Sequence, residues 1–264
     1  MLRTGLIVVL FLVVSAWSSP ADRLAPPIVG GFELEIEQVP YQISMRLNNR
    51  HRCGGSIFSD HVIVTAAHCL STLSSAKGLS IVAGSTTLTP MAGQQIDVAR
   101  FIVHPKYVAL NKDYDVAIMI LKGQLKFNEL VKPIALAKDL PKDGTHALVS
   151  GWGHLVEGGA GGTPNHLYGA EIELFPLSRC KKNYLYMTTS RMICAGVNGG
   201  GVDACQGDSG GPLVTKGELV GIVSWGNGCA RETHPGLYSS VPVLYPWIVE
   251  TIRNNSINLL NKLF

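Results

Sequence analysis

Short hydrophobic runs alternate with clusters of Gly, Pro, Asn and Asp along almost the whole chain. Runs of about four to eight residues that are rich in β-branched side chains and bounded by turn residues are typical of β-strands. Many such strands in succession indicate antiparallel barrels or a sandwich. The pattern predicts strands at Gln42–Leu47, Val62–Thr65, Ile81–Ala83, Ala99–Val103, Ala147–Ser150, Ala170–Leu174, Leu213–Thr215, Leu219–Ser224 and Gly236–Val241.

Helical periodicity is confined to the C-terminal end. Trp247, Ile248 and Ile252 follow Pro246 at helical spacing, which predicts one helix there. The segment 132–144 carries three lysines, two prolines and two aspartates between two strand-rich halves, so we expect it to link two subdomains.

The chain ends in an apolar tail whose role the sequence leaves open. We favour a continuation of the helix packed on the body over a partner-binding tail. Asn254-Asn255-Ser256 fits a glycosylation sequon. The apolar residues of the tail are Ile257, Leu259, Leu260, Leu263 and Phe264.

The first 18 residues have the features of a secretory signal peptide. Arg3 precedes an apolar run from Leu6 to Val14, and small residues follow as far as Ser18. The run is about half the length of the roughly 20 apolar residues that a membrane-spanning helix needs. We therefore expect a signal peptide at 1–18, secretion into the extracellular space and no membrane anchor.

Composition excludes several classes of function. Of the 264 residues, 46% are hydrophobic and 16% charged, which excludes disorder over most of the length. The net charge is only +3 and no basic run exceeds Lys181-Lys182, so no nucleic-acid partner is expected. Six cysteines in an exported chain favour disulfides, although their spacing alone does not choose the pairing.

Three residue types suited to nucleophilic catalysis stand in distinctive settings. A serine lies among glycines in Gly207–Pro212, where backbone N–H groups of Gly207 and Ser209 can point the same way. A serine hydroxyl is a weak nucleophile, so it needs a base and an orienting partner for that base. His68 follows a predicted strand, and Asp115 opens an apolar strand that would bury its carboxylate.

With these segments the chain resembles the chymotrypsin/trypsin family of serine peptidases. The matching segments occur in the family's order and span Ile28 to about Arg253. They are Ile28–Gly31, Cys53–Ser56, Thr65–Cys69, Asp115–Ala117, Gly151–Gly153, Asp203–Pro212 and Ser224–Gly226.

The resemblance implies an all-β fold of two antiparallel six-stranded β-barrels with a C-terminal α-helix. The peptidase domain would occupy 28–264, with the first barrel over about 28–135 and the second over about 136–245. The helix and tail would occupy 246–264. The active site would lie in the cleft between the barrels.

The resemblance also implies the catalytic roles. Ser209 would attack the scissile carbonyl, His68 would act as general base and then acid, and Asp115 would orient the imidazole. The N–H groups of Gly207 and Ser209 would form the oxyanion hole. The resemblance implies no cofactor, because the family needs none. No metal is expected either, because the stretch 82–95 lacks the acidic residues with which vertebrate trypsins hold calcium.

Substrate choice follows from the residue six before the nucleophile. In the family this position forms the base of the primary pocket, and Asp203 there implies cleavage after Arg or Lys. Gly226 and Gly236 match wall positions that must lack side chains. Ala204 replaces a serine of many trypsins, from which we expect Arg to be preferred to Lys. We expect the substrates to be proteins or peptides with Arg or Lys and the partners to include protein protease inhibitors. We also expect a monomer.

The resemblance further implies a disulfide pairing of Cys53 with Cys69, Cys180 with Cys194 and Cys205 with Cys229. It implies a zymogen too. Release of a propeptide, residues 19–27, would free the amine of Ile28 to pair with Asp208. Pro26 and Pro27 stand where family zymogens have Arg or Lys, so we expect activation by a non-tryptic protease or in steps.

Two alternatives remain. The unusual processing site favours a noncatalytic homologue that binds peptides or partners. A chymotrypsin- or elastase-like specificity would follow if Asp203 did not reach the pocket.

Overall fold

A computed structural model describes residues 30–89, 92–159, 162–185 and 187–260, with side chains as far as Asn255. The expected signal peptide at 1–18, the propeptide at 19–27 and the new amino terminus at Ile28 lie outside these residues. The strands are β1 (Phe32–Glu33), β2 (Gln42–Leu47), β3 (Arg50–Ser59), β4 (Val62–Thr65), β5 (Leu79–Ala83), β6 (Gln94–Val103), β7 (Ala117–Leu121), β8 (Ala135–Leu136), β9 (His146–Gly151), β10 (Tyr168–Phe175), β11 (Met192–Gly196), β12 (Pro212–Thr215), β13 (Glu218–Trp225) and β14 (Gly236–Ser240).

Helices are few among the described residues. Two short 3₁₀ turns cover Ile36–Gln38 and Ala67–Cys69. The α-helices are α1 (Leu177–Asn183) and α2 (Val241–Leu260).

The first barrel closes in the order β2-β3-β4-β7-β6-β5, and every pair is antiparallel. Successive side chains of a strand point to opposite faces. On β2, Ile43 and Met45 therefore fill the barrel interior. Gln42 faces outward, and its Oε1 accepts a hydrogen bond of 2.7 Å from Ser150 Oγ on β9. This alternation lets one strand serve both the core and the seam between the barrels.

The second barrel closes in the order β9-β10-β11-β14-β13-β12, because β12 pairs back to β9. Two strands from outside its span add to it: β1 pairs with β10, and β8 in the linker pairs in parallel with β13. The fold class expected from the resemblance is confirmed. Phe32 and Glu33 pair with β10 of the second barrel. The expected ranges of about 28–135 and 136–245 for the two barrels stay a prediction.

The C-terminal helix begins earlier than predicted. The expected range starts at Pro246, but α2 begins at Val241 and contains that proline in its second turn. In the second turn, Pro246 lacks the N–H that would bond to the carbonyl four residues earlier, so the helix forms despite one lost intrahelical bond. The helix packs on the first barrel's core through Val241, Leu244, Ile248 and Ile252, and it continues to Leu260 as expected.

Helix α1 was not predicted. Its seven residues span about two turns, which is too short for a periodic apolar stripe to stand out. Cys180 is its buried residue and is bonded to Cys194 on β11, so the disulfide ties the helix to the second barrel.

The disulfides join Cys53 to Cys69, Cys180 to Cys194 and Cys205 to Cys229, the pairing that the resemblance implies. Within the part of the chain that the structure covers, no helix is both long and apolar enough to cross a membrane.

Candidate active site

A cavity of about 200 Å³ opens between the two barrels. The first barrel contributes His68 and Lys112 to its wall, and strands β13 and β14 and loops of the second barrel contribute the remainder. Asp115 and Asp208 lie behind the wall and have no exposed surface. The predicted catalytic and substrate-binding residues that line the cavity are His68, Asp203, Ser209, Gly226 and Gly236.

His68 is placed by the end of strand β4. The strand stops at Thr65, and the chain turns at once into the 3₁₀ turn that contains His68. Next to it, Cys69 is bonded to Cys53 on β3, which anchors the turn to the barrel wall. The imidazole is only 17% exposed, so its position is set by packing and hydrogen bonds.

Asp115 holds the imidazole from the buried side. Its Oδ2 lies 2.7 Å from His68 Nδ1, and its Oδ1 accepts the His68 backbone N–H at 2.8 Å. A third donor, Ser224 Oγ, lies 2.5 Å from Oδ2. A carboxylate accepts, so Nδ1 carries the proton and Nε2 is left as a proton acceptor on the cavity side. The structure brings this predicted pair together.

Ser209 lies in the loop that precedes β12. Its backbone carbonyl accepts the N–H of Gly54 at 2.8 Å, which docks the loop onto β3 of the first barrel. Gly207, two residues earlier, has φ of 105°, which favours a residue without a side chain. Ser209 and His68 line the same cavity without a hydrogen bond between their side chains. Such bonds are often long before substrate binds.

Two backbone donors lie beside the hydroxyl. Among the described residues, neither the N–H of Gly207 nor that of Ser209 donates a hydrogen bond. The N–H of Gly207 shares its peptide group with the Gln206 carbonyl, which accepts the N–H of His154 at 2.7 Å. A peptide group whose oxygen is held on one side presents its N–H on the other, where a developing oxyanion could bind.

Asp203 sits deep in the cavity with only 4% of its surface exposed. Its carboxylate accepts hydrogen bonds from Ala204 N at 2.8 Å, Ala230 N at 3.4 Å and Tyr238 Oη at 3.4 Å. Burial raises the pKa of the carboxyl to about 7, since these donors do not offset the lost hydration. It forms no ion pair within the described chain, so the carboxylate lacks a cationic partner in the pocket.

The pocket depends on a missing side chain. A Cβ on Gly236 would lie 2.7 Å from Asp203 Oδ1, so any larger residue would collide with the carboxylate. A Cβ on Gly226, which also lines the cavity, would meet only ordinary contacts, the nearest at 3.4 Å from the Gly228 carbonyl.

Asp208 occupies a second buried pocket behind the Ser209 loop. Its oxygens accept Gly153 N at 2.7 Å and Cys205 N at 2.9 Å, while burial raises the pKa of the carboxyl to about 6. A Cβ on Gly153 would lie 2.3 Å from Oδ2, so the carboxylate fits against bare backbone. No cation within the described residues pairs with it. Ile28, the expected partner, lies outside them.

One cluster with metal-ligand residue types needs separate mention. Ligand atoms of Cys53, His68 and Cys69 lie within 4.8 Å of one another. The two sulfurs are bonded to each other, so they are not thiolates, and thiolates are the form in which cysteine binds metal.

Sequence reasoning missed three side chains that shape this site. Ser224 was noted only as part of a motif, yet its hydroxyl contacts the Asp115 carboxylate. Tyr238 contacts Asp203, and Lys112 lines the cavity. Alternation along β14 could have signalled Tyr238, since it lies two residues after Gly236 on the same face.

Comparison with known proteins agrees with this geometry. The family described as Trypsin matches residues 28–248. Trypsin delta of Drosophila erecta is 44% identical over 225 residues, which cover 84% of this chain and 87% of that protein. The vitellin-degrading protease of Bombyx mori is 40% identical over 245 residues, covering 90% and 91%. The solved structure of neuropsin, a serine protease expressed in the limbic system of mouse brain, aligns with a TM-score of 0.78 at 34% identity, covering 84% of this chain and 98% of that one.

Proposed function

The chain belongs to the trypsin family of serine endopeptidases, and we propose that it hydrolyses peptide bonds after Arg or Lys through Ser209, His68 and Asp115. The observation that carries the specificity is Asp203, a buried carboxylate without an ion-pair partner in the described chain, at the base of the cavity that His68 and Ser209 line.

The proposed reaction has two halves. Ser209 Oγ attacks the scissile carbonyl carbon while its proton moves to His68 Nε2. The carbon–nitrogen bond then breaks, and the amine leaves with that proton, so an ester to Ser209 remains. Water attacks the ester, gives a proton to His68 and releases the acid, after which the proton returns to Oγ. Asp115 keeps Nδ1 protonated throughout and stabilises the imidazolium.

The free N–H groups of Gly207 and Ser209 would bind the oxyanion that forms in each half. Loss of one such donor typically costs about 10²- to 10³-fold in turnover. Because these donors are backbone groups held by the loop, they are in place before the charge develops. This preorganisation is the main electrostatic contribution of the site.

Substrate selection would come from pairing with Asp203. A guanidinium or ammonium forms an ion pair with the buried carboxylate, whereas a neutral side chain leaves the carboxylate unpaired at a cost of about 3–5 kcal/mol. This corresponds to roughly two to four decades in rate. The methyl group of Ala204, which also lines the cavity, offers no hydroxyl to solvate an ammonium, so Arg should be preferred to Lys.

We further propose that the chain is secreted as an inactive zymogen. The activated enzyme would act as a monomer and would be controlled by protein inhibitors. Cleavage before Ile28 would deliver an ammonium to Asp208, whose buried carboxylate has two backbone donors among the described residues. Removal of the segment 19–27 would then organise the loop that holds Gly207. The Pro26-Pro27 pair would prevent self-activation, because a trypsin-like enzyme cuts after basic residues.

The processing site also favours a second candidate, a noncatalytic homologue that binds peptides. An organophosphate probe separates the two. A chain that begins at Ile28 should be labelled at Ser209, and Ser209→Ala should abolish labelling. A correctly processed chain that resists the probe would support the binding protein. Rates on matched Arg, Lys, Phe and Ala peptide amides then test the proposed specificity, and faster cleavage after Phe or Ala would contradict it.

A further inference from the structure

Lys112 of the first barrel lines the cavity that the proposed function assigns to substrate. It lies in the turn between β6 and β7, where the N–H of Val108 bonds to the carbonyl of Asp113 at 3.0 Å and forms a small hairpin. Its backbone is left-handed, with φ of 53°. The residue is partly buried and lines the same cavity as His68 and Asp203.

The residues on either side of Lys112 are tied to the second barrel. Asp113 accepts hydrogen bonds from Arg191 Nε at 3.0 Å and from Arg191 Nη2 at 2.6 Å. Asn111 Nδ2 donates to the Met187 carbonyl at 3.4 Å. Because the turn is held at both ends, the lysine is positioned at the seam rather than on a free loop.

The ammonium of Lys112 has no ion-pair partner among the residues that the structure covers. The two nearest acids in sequence are engaged elsewhere, Asp113 by Arg191 and Asp115 by His68. The cavity therefore carries an unpaired cation on the wall of the first barrel and an unpaired carboxylate, Asp203, in the second.

An extended peptide would meet these two charges with neighbouring residues. Side chains alternate in direction along an extended strand. If a basic side chain enters the Asp203 pocket, the side chain before it points to the opposite wall, which bears His68 and Lys112. The side chain of the residue after the scissile bond also points to this wall, but that residue lies beyond Ser209. Lys112 lines the cavity that contains the Asp203 pocket, so the residue before the Arg or Lys is the one that it would contact.

We propose that Lys112 selects an acidic side chain in the substrate residue immediately before the Arg or Lys, so that Glu-Arg and Asp-Arg sequences are favoured. This inference rests on the proposed function. A partly solvated ion pair should favour Glu over Gln by about two- to fivefold in kcat/KM. Because added salt screens such pairs, the preference should shrink at about 1 M salt.

The test uses peptide amides that differ only in the residue before Arg, either Glu, Gln or Lys, with the chain that begins at Ile28. Lys112→Gln should bring the Glu-to-Gln ratio of kcat/KM to about one, and Lys112→Glu should reverse the preference towards Lys. Lys216→Gln is the matched control, because Lys216 has nearly the same backbone conformation, φ of 52°, in an exposed turn outside the cavity. It should retain the wild-type ratio.

Each outcome decides the inference. An unchanged ratio in Lys112→Gln, no Glu preference in the wild type, or a preference that appears only when Glu follows the scissile bond would overturn it. Active-site titration of each variant normalises the rates for folded enzyme. The Gln peptide separates the two proposals, since its cleavage after Arg supports the proposed function whatever the ratio. Failure to cleave any of the peptides would overturn both.

Discussion

Ser224 of the second barrel donates a hydrogen bond of 2.5 Å to Oδ2 of Asp115, which belongs to the first barrel. The same carboxylate accepts two hydrogen bonds from His68, and its residue has no exposed surface. A buried charge is tolerated only when it is paired and hydrogen-bonded. The orienting acid of the proposed triad is therefore complete only when the two barrels dock.

Ser224→Ala should weaken both the fold and the proposed reaction. The substitution removes one of three donors to a buried carboxylate, and hydrogen bonds to charged groups contribute about 1.5–3 kcal/mol. We expect the free energy of unfolding to fall by about that amount and kcat on an Arg peptide to fall by about tenfold. Urea denaturation and steady-state kinetics measure the two effects.

Ser239→Ala is the matched control. Ser239 Oγ donates to the backbone carbonyl of the same residue, Asp115, at 2.8 Å, so its acceptor is neutral. It should cost about 0.5–1.5 kcal/mol in stability and have a smaller effect on kcat. Equal losses of kcat in the two variants would show that the hydroxyl of Ser224 has no special part in holding the carboxylate.

The Ser209 loop and the His68 turn could be predicted from the sequence because the residues that define each motif are consecutive. Glycines around Ser209 indicate a tight loop, and the turn Thr65–Cys69 combines a strand end with a disulfide. The contact between Ser224 and Asp115 was not readable, because 109 residues separate the two and only the docking of the barrels joins them.

The errors in the fold have similar causes. The sequence predicts too late a start for helix α2, because a proline favours the first turn of a helix, whereas the fold accommodates Pro246 in the second turn. Helix α1 is stabilised by the bond between Cys180 and Cys194, not by its own periodicity. No motif in the sequence marks Lys112. It lines the cavity because contacts of Asn111 and Asp113 with the second barrel hold its turn at the seam.

The pKa of Asp203 predicts how pH controls binding in the pocket. Burial raises it to about 7, so below that pH the carboxyl is protonated and neutral, and above it the carboxylate can pair with a cation. The affinity for a benzamidine cation should fall by up to about tenfold per pH unit below 7. Calorimetry near pH 6.5 in buffers of different ionisation enthalpy should show that binding releases a proton.

Asp203→Asn provides the comparison for that experiment. The variant keeps the shape of the side chain but does not titrate, so its binding should be weak and should release no proton from this position. Proton release of equal size in the variant would mean that another group, not Asp203, responds to the cation.

The buried pocket of Asp208 predicts a strict requirement for the amino terminus at Ile28. A cut after Arg23 would leave four residues in front of Ile28, and the bare backbone of Gly153 leaves them no room beside the carboxylate. An unpaired buried charge costs about 3–5 kcal/mol. A chain that begins at Leu24 should therefore be at least about 100-fold less active on an Arg peptide than one that begins at Ile28.

Asp208→Asn in the chain that begins at Ile28 should lose activity to a similar degree, because the ammonium then lacks its partner. N-terminal sequencing of active material checks the same requirement in the natural product. Full activity in a chain that starts at Leu24 would rule out the proposed pairing.

The central claim is that the chain is a peptidase with Ser209 as nucleophile, and that the buried carboxylate of Asp203 selects Arg or Lys before the scissile bond. The most direct measurement is the ratio of kcat/KM on two peptide amides that differ only in Arg or Phe before the scissile bond. We predict a ratio of at least about 100 for the chain that begins at Ile28, and a ratio within about tenfold of one for its Asp203→Ser variant. Equal rates on the two peptides before the substitution, or an unchanged ratio after it, would contradict the account.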